Sequence, residues 1–234
     1  MRVETILDCV AGAGVLADIG TDHAFIPIEA IKRKLAKKAI ACDIASGPLE
    51  IGRKNVAREG LTEFIELRLG DGLEPVRHNE ADTIVIAGMG GMRILGIIES
   101  GLVKIENANL VLQPQHDISK LRRGLFGLGI KIRSEHLAKE GERFYEVLCA
   151  AKSSEMNRKD RCGREAAFCE AKSSEMPKLT EKDFFLGIHT GELAPHFYLQ
   201  KKQKIEKYIH LVKDKKEKEQ AKNELVWLSE ALPH

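Results

Sequence analysis

The chain has 234 residues, of which 43% are hydrophobic, 31% charged and 5% aromatic, with a formal net charge of +2. That balance excludes a disordered polyelectrolyte and a collagen-like fibre, and the length suffices to bury a core without staples. No stretch approaches the ~20 apolar residues of a membrane span. Met1 to Thr5 open no apolar signal segment, so the expected compartment is the cytosol. Residues 1–150 carry a net charge of −1 and residues 151–234 a net of +3. A polyanion would therefore have to meet local clusters, mostly in the tail. Five cysteines with no C-x-x-C pair predict reduced thiols, without a disulfide frame or a metal site.

From residue 13 to 112 short apolar runs alternate with helical stretches. Val15 to Ile19 reads as a strand, Ile26 to Leu35 as a helix, and Ala39 to Ile44 as a second strand. Pro48 opens the next helix at its first turn and Gly60 closes it. Phe64 to Leu69 alternates with period two. The wholly apolar Thr83 to Ala87 is expected at the centre of a sheet buried on both faces. A helix from about Gly91 to Ser100, a strand at Asn109 to Leu112 and a helix from about Ile118 to Leu128 complete a βαβα series. Such a series predicts a parallel sheet with helices on both faces.

Ile130 to Lys139 and Arg143 to Ala150 then break the alternation. They are joined by Glu140-Gly141-Glu142, which predicts a hairpin rather than a crossover. A mostly parallel seven-stranded sheet ending in an antiparallel hairpin resembles the α/β, Rossmann-like fold of class I S-adenosylmethionine (SAM) methyltransferases.

Ala151-Lys152-Ser153-Ser154-Glu155-Met156 recurs verbatim as Ala171 to Met176. Two copies are too few for a repeat architecture; a tandem duplication tolerated in a loop fits better than an RNA-binding loop, because loop entropy grows slowly with length. From about Pro195 the tail is helical. Its two apolar stripes flank the polar run Lys213 to Glu219, which suits two antiparallel helices or one long one. The expected division is 1–152 for the α/β domain, 153–176 for the duplicated polar linker, and 177–234 for a small helical, coiled-coil-like domain.

The first strand ends in Asp18-Ile19-Gly20-Thr21-Asp22-His23. A glycine directly after a strand lets the backbone turn sharply and approach a ligand. Asp43 ends the next strand, where an acidic residue can accept both ribose hydroxyls of a nucleotide. Gly70-Asp71-Gly72 ends the third, and Asp71 there could accept from an adenine amino group while Gly72 exposes backbone. After the fourth strand, Gly88-Met89-Gly90-Gly91 leaves room for a ligand over bare backbone.

These segments, ADIGTDHAFIPI, ACDIASGP, LRLGDGL, IVIAGMGGM and VLQPQ, resemble in order and spacing the bacterial tRNA (adenine-22-N1)-methyltransferase family. The resemblance covers residues 1–150, with a weaker match in the tail. It implies a SAM-binding domain, a C-terminal coiled-coil-like domain and methylation of N1 of a tRNA adenine. It also implies that Gly20, Asp43, Asp71 and Gly88 hold SAM, with Asp18, Asp22 and His23 at the cofactor and reaction edge; Gly72, Met89 and Gly90 complete the expected cofactor set. Asp22 is the candidate for stabilising positive charge on the base, with His23 beside it. RNA recognition is expected to use two surfaces rather than one: Lys32, Arg33, Lys37 and Lys38 on the first helix, and Lys201, Lys202, Lys204 and Lys207 on the tail. The expected partner is tRNA, with a monomeric enzyme and no obligate protein partner. Two rival readings are a SAM enzyme acting on a small molecule and an inactive SAM-fold RNA-binding protein.

Overall fold

The computed structural model describes residues 2–152, 179–187, 189 and 193–232; the duplicated linker, with Cys162 and Cys169, lies outside the described residues. The elements run α1 (Arg2–Val10), β1 (Ala13–Ile19), α2 (Phe25–Lys32), β2 (Ala36–Asp43), α3 (Ser46–Arg58), β3 (Ile65–Leu69), β4 (Thr83–Met89) and α4 (Gly91–Ser100). There follow β5 (Asn109–Pro114), α5 (Ile118–Gly127), β6 (Ile130–Glu140), β7 (Arg143–Lys152), α6 (Glu181–Leu186), α7 (Leu193–Ile209) and α8 (Lys215–Ala231). Seven strands form one sheet in the order β3-β2-β1-β4-β5-β7-β6. The first five are parallel, while β7 runs antiparallel to β5 and β6 antiparallel to β7. This is the Rossmann-like methyltransferase arrangement expected from the sequence.

Burial on both faces explains why the central strands read as unbroken apolar runs. Ile84 and Ile86 of β4 join Leu110 and Leu112 of β5 against α4 and α5, through Ile94, Ile98, Leu121 and Leu125. Val85, Val111 and Val147 point the other way and meet Ile6, Leu7 and Val10 of α1 together with Ile28 and Val56. Helix α1 has no counterpart in the sequence reading, which began at residue 13. Its three apolar residues close the sheet face beneath the hairpin.

The first crossover helix is shorter than expected. Lys34 takes a left-handed φ of 58°, and Leu35 N donates back to Ala30 O at 2.8 Å, so the chain turns and enters β2 at Ala36. Lys37 and Lys38 therefore lie on a strand, exposed, rather than on the helix. The tail forms two helices, not one. Asp214 stops the polar run from continuing as helix, because its Oδ1 accepts from the backbone N–H of Lys216 and Glu217 at 2.9 Å each and caps α8.

The C-terminal helices dock on the outer face of the hairpin. Phe197, Tyr198 and Leu228 pack with Leu186, Leu137 and Phe144. Beside this apolar patch Arg122 of α5 is buried between two carboxylates. Its Nε donates to Glu135 Oε1 at 2.7 Å, a second nitrogen pairs with Glu146, and Nη1 donates to Phe184 O at 3.1 Å. His189 Nε2 lies 2.6 Å from Glu146 Oε2. Burial alone would push the Glu146 carboxyl up, but Arg122 and the His189 bond overcome it and hold the group at about 2.

Removing the cation strands two buried acids. Arg122→Leu should cost about 3–5 kcal/mol, read as a lower urea midpoint. The pH dependence has a definite sign. Glu146 has a folded pKa below its ordinary value of 4.5, so its contribution is present above about 4.5 and is lost as pH falls towards 2. Urea midpoints measured across that window should fall in the wild type and fall less in Arg122→Leu.

Candidate active site at the carboxyl edge of the sheet

Because β1 to β5 are parallel, the loops that follow them all emerge along one edge, and the strand order reverses between β1 and β4. Open α/β sheets bind ligands at such a reversal. Gly20, Thr21, Asp22 and His23 follow β1, Asp43 ends β2, Gly70, Asp71 and Gly72 follow β3, and Gly88 to Gly91 close β4. The topology thus brings together every cofactor and catalytic residue expected from the sequence.

Local bonds fix this edge. Gly20 N and Thr21 N both donate to Cys42 O at 2.9 Å, which carries the β1 loop over the end of β2. Asp43 then ties two loops with one carboxylate: Oδ2 accepts from Asp22 N at 3.0 Å and Oδ1 from Ala45 N at 2.9 Å. Each oxygen keeps a further lone pair for a ligand hydroxyl. Asp22 and Ala24 hold left-handed φ values of 54° and 61°, a conformation costly for residues with a Cβ and concentrated at functional sites. Asp22 is exposed, with Oδ1 3.5 Å from His23 Nε2. The His23 ring meets Phe25 edge-on at 5.9 Å, and His23 O accepts from Asn55 Nδ2 at 3.1 Å.

Asp18 is different. It is buried, and Thr21 Oγ1 donates to its Oδ2 at 2.7 Å. Burial pushes its carboxyl up to about 7, against the Thr21 bond and with a smaller push from Asp43. Asp18 therefore sits beneath the loop and shapes it from below.

Gly88 has φ 77°, and the nearest atom to a Cβ placed there would be Gln115 Nε2 at 3.9 Å, so the backbone faces open space. Gly91 is the opposite case: a Cβ there would lie 2.6 Å from the Asp117 carbonyl. The β4 loop is pressed onto the β5 loop, and Gly91 N donates to His116 O at 2.8 Å. The side chain of Met89 extends over Gly20. Exposed apolar side chains also gather here. Phe25, which opens α2, and Leu69, which ends β3, are 59% exposed, and Ile44, next to Asp43, is 56% exposed.

The end of β5 and the loop after it supply further residues for which no motif in the sequence gives a role. Gln113 is buried; its Oε1 accepts from Gly88 N at 3.2 Å and its Nε2 donates to Pro114 O at 2.8 Å. It holds the bare glycine in place. His116 packs against Gly90 and pairs with Asp117 at 2.8 Å. The available signal was the run Gln113-Pro114-Gln115-His116-Asp117, four polar or acidic side chains directly after the apolar Leu110-Val111-Leu112.

The basic residues expected to meet RNA lie on two separate parts of the fold. Helix α2 starts at the carboxyl edge and runs back, so Lys32 and Arg33 at its end, and Lys37 and Lys38 at the start of β2, lie at the amino edge. Lys32 is paired with Glu59 at 2.8 Å, and Arg33 with Glu4 at 2.6 Å and Glu29 at 2.9 Å. Lys37 and Lys38 are thus corrected in place, from the first helix to β2, while Lys32 and Arg33 are exposed and ion-paired. Lys201 is half-buried and engaged within the fold. Its ammonium donates to Phe185 O at 2.8 Å and lies 3.9 Å from the Phe185 ring centre, and burial lowers it to about 8. Lys202 is half-buried, whereas Lys204 and Lys207 are exposed.

A cleft of about 920 Å³ opens between α5, the hairpin and the C-terminal helices. Asp117, in the loop after β5, is one of its lining residues. Lys120, Lys204, Asn223 and Trp227 are among the residues lining it.

A Rossmann-like domain with a carboxylate at the end of β2 and open glycine backbone at the end of β4 is a nucleoside-binding domain. The chain belongs to the methyltransferase domain family, whose model matches residues 1–148. A Bacillus subtilis protein named tRNA (adenine(22)-N(1))-methyltransferase is 38% identical over 150 residues, which is 64% of this chain and 63% of that protein. The match thus spans less than two thirds of that relative. The crystal structure of the B. subtilis M1A22 tRNA methyltransferase TrmK superposes with a TM-score of 0.80 at 27% identity, covering 99% of this chain and 97% of that one. A Streptococcus pneumoniae protein, Sp1610, in complex with S-adenosyl-L-methionine gives a TM-score of 0.81 at 28% identity, covering 99% and 98%.

Asp18 generates a prediction opposite in sign to that for Glu146. Its folded pKa lies above its ordinary 3.8, so the stability tied to the neutral acid is complete below about 3.8 and is lost as pH rises through 7. An asparagine at this position would keep an acceptor for Thr21 and carry no charge. Asp18→Asn should therefore match the wild type in thermal midpoint near pH 4. At pH 8 it should be the more stable protein, by on the order of 4 kcal/mol.

Proposed function

We propose that this chain is a SAM-dependent tRNA methyltransferase that methylates N1 of adenine-22, acting as a monomer in the cytosol. The observation that carries the reading is the likeness to the B. subtilis relative over 150 residues, the stretch that builds the carboxyl edge. The chain divides, in this reading, into a SAM domain (1–152), a linker (153–176) and a helical domain (177–234).

The residues present fit SAM. Asp43 offers carboxylate lone pairs to a ribose diol, Ile44 and Leu69 offer exposed apolar surface to an adenine, and Asp71 lies exposed where an amino group could be met. Gly20, Gly72, Gly88, Met89 and Gly90 supply backbone around them, and Asp18 fixes the β1 loop. When bound, SAM supplies an electrophilic methyl group on a sulfonium. The protein's part is orientation. Ring N1 of adenine already has an in-plane lone pair, so no base is needed to generate it. Proximity in a closed site can supply ~7–11 kcal/mol in favourable cases. N1 is occupied in a base pair, so the adenine must be unpaired or flipped. Methylation makes the ring cationic, and the exposed Asp22 carboxylate stabilises that charge or accepts an N6 proton. His23 positions Asp22 from 3.5 Å.

For RNA, the cleft offers Lys204 and Lys120 with amide and aromatic side chains, a combination suited to unpaired nucleotides. Lys207, about one turn beyond Lys204, extends that side along α7, whereas Lys202 lies on another face of the helix. Lys204→Glu with Lys207→Glu should weaken tRNA binding and flatten its salt dependence, while SAM affinity stays unchanged in calorimetry.

Incubation with unmodified tRNA and labelled SAM, followed by nucleoside analysis, tests the reaction. The expected first product is 1-methyladenosine, with slower turnover in Asp22→Asn. N6-methyladenosine as first product would overturn the N1 assignment; SAM binding without transfer would favour an inactive RNA-binding protein. Asp43→Ala should lower SAM affinity at least ~10-fold, since each charge-assisted bond contributes about 1.5–3 kcal/mol. Unchanged affinity would remove Asp43 from the ribose role.

A further inference from the structure

The cysteines carry no metal-binding spacing in the sequence, but the fold brings two of them to one histidine. Cys9 lies on α1, His136 on β6 and Cys149 on β7, and one donor atom from each falls within 4.8 Å of the others. Strand register explains the meeting. Cys149 pairs with Ser134, and His136 pairs with Val147, so His136 and Cys149 are diagonal neighbours on the same face of the hairpin. That face holds Val147 and is covered by α1 through Ile6, Leu7 and Val10. Cys9 precedes Val10 and completes the triangle from above.

We propose that Cys9, His136 and Cys149 form a zinc site that fastens the N-terminal helix to the terminal hairpin. Two thiolates and one imidazole are the ligand chemistry of zinc. With Zn–S near 2.3 Å and Zn–N near 2.0–2.1 Å, tetrahedral donors lie roughly 3.5–3.8 Å apart, inside the observed limit. All three residues are half-buried, so an ion can enter and a water can take the fourth position. A neighbouring group orients the imidazole: Ser134 Oγ lies 3.0 Å from His136 Nε2, the kind of support that metal-bound histidines use. Binding releases the thiol protons to solvent; no oxidation or reduction is involved. The other group of suitable side chains, Glu135, Glu146 and His189, is a poor rival because the Arg122 guanidinium already neutralises it. The site lies away from the carboxyl edge, so its role is structural rather than catalytic.

The test uses the full chain, purified under reducing conditions without a polyhistidine tag and stripped with a chelator. Cobalt(II) titration should give one equivalent bound, with a thiolate-to-cobalt charge-transfer band and tetrahedral d–d bands, and zinc should bleach both. Cys9→Ser, Cys149→Ser and His136→Gln should each lose the tetrahedral spectrum, and Ser134→Ala should weaken zinc binding about 10-fold. A Cys162→Ser/Cys169→Ser double variant should retain the full spectrum. Added zinc should raise the thermal midpoint of the wild type but not of folded His136→Gln. Absence of a thiolate–cobalt band in wild type, its loss in the Cys162/Cys169 variant, or its survival in His136→Gln would overturn the proposal.

Discussion

Parallel pairing of five strands is the constraint on which the rest of this molecule depends. It sends every loop after a strand to the same edge, and burial on both faces leaves the strands themselves nothing but packing to do. Chemistry at this edge is then confined to a handful of strand ends and loop positions. Their spacing is set by strand separation: Asp43 reaches the β1 loop because β2 is its neighbour, and Gln113 reaches Gly88 because β5 adjoins β4. In both pairs a side chain on one strand steadies exposed backbone on the next.

The hairpin has a second task. One of its faces joins the sheet core beneath α1, and the other receives the C-terminal helices. Apolar contacts through Leu137 and Phe144 are supplemented by the buried Arg122 cluster, which also bonds the carbonyl of Phe184. A buried ion cluster is a weaker stabiliser than an apolar core of the same volume, yet it tolerates few alternative arrangements. It links α5, the hairpin and α6 through Glu135, Glu146 and the Phe184 carbonyl.

Much of this was legible in the sequence because the central strands and glycine turns have strong local signals. Thr83 to Ala87 could hardly be anything but a two-faced strand, and Gly141 between charged neighbours marked the hairpin. What was not legible depends on tertiary contact. Helix α1 is too short for its period to stand out. Lys34 ends α2 by adopting a left-handed backbone that no glycine announces, which moved Lys37 and Lys38 onto β2. Whether Lys201 or Arg33 is free to meet a phosphate depends on Phe185, Glu4 and Glu29, partners that only the folded chain reveals. The residues proposed to meet ribose and base share one edge through topology; the bond from Gly88 to Gln113 needed the neighbouring strand to be seen.

The register shift in β6 between Ile132 and Ser134 bears on how the sheet ends. An unpaired strand edge is a template on which another chain can add, and proteins blunt such edges with bulges, charges and covering segments. Here β6 is the outermost strand on one side. The bulge interrupts its flat run, and Lys131, Arg133 and Lys139 keep it charged and exposed. His189 forms a parallel bridge to Glu135 on that free side. On the opposite edge, β3 presents Arg68 clamped by Glu66 and Glu80 at 2.7 Å. Charge marks both ends of the sheet, and on β6 a bulge and a bridge add to it, which disfavours the addition of an eighth strand from a neighbouring molecule.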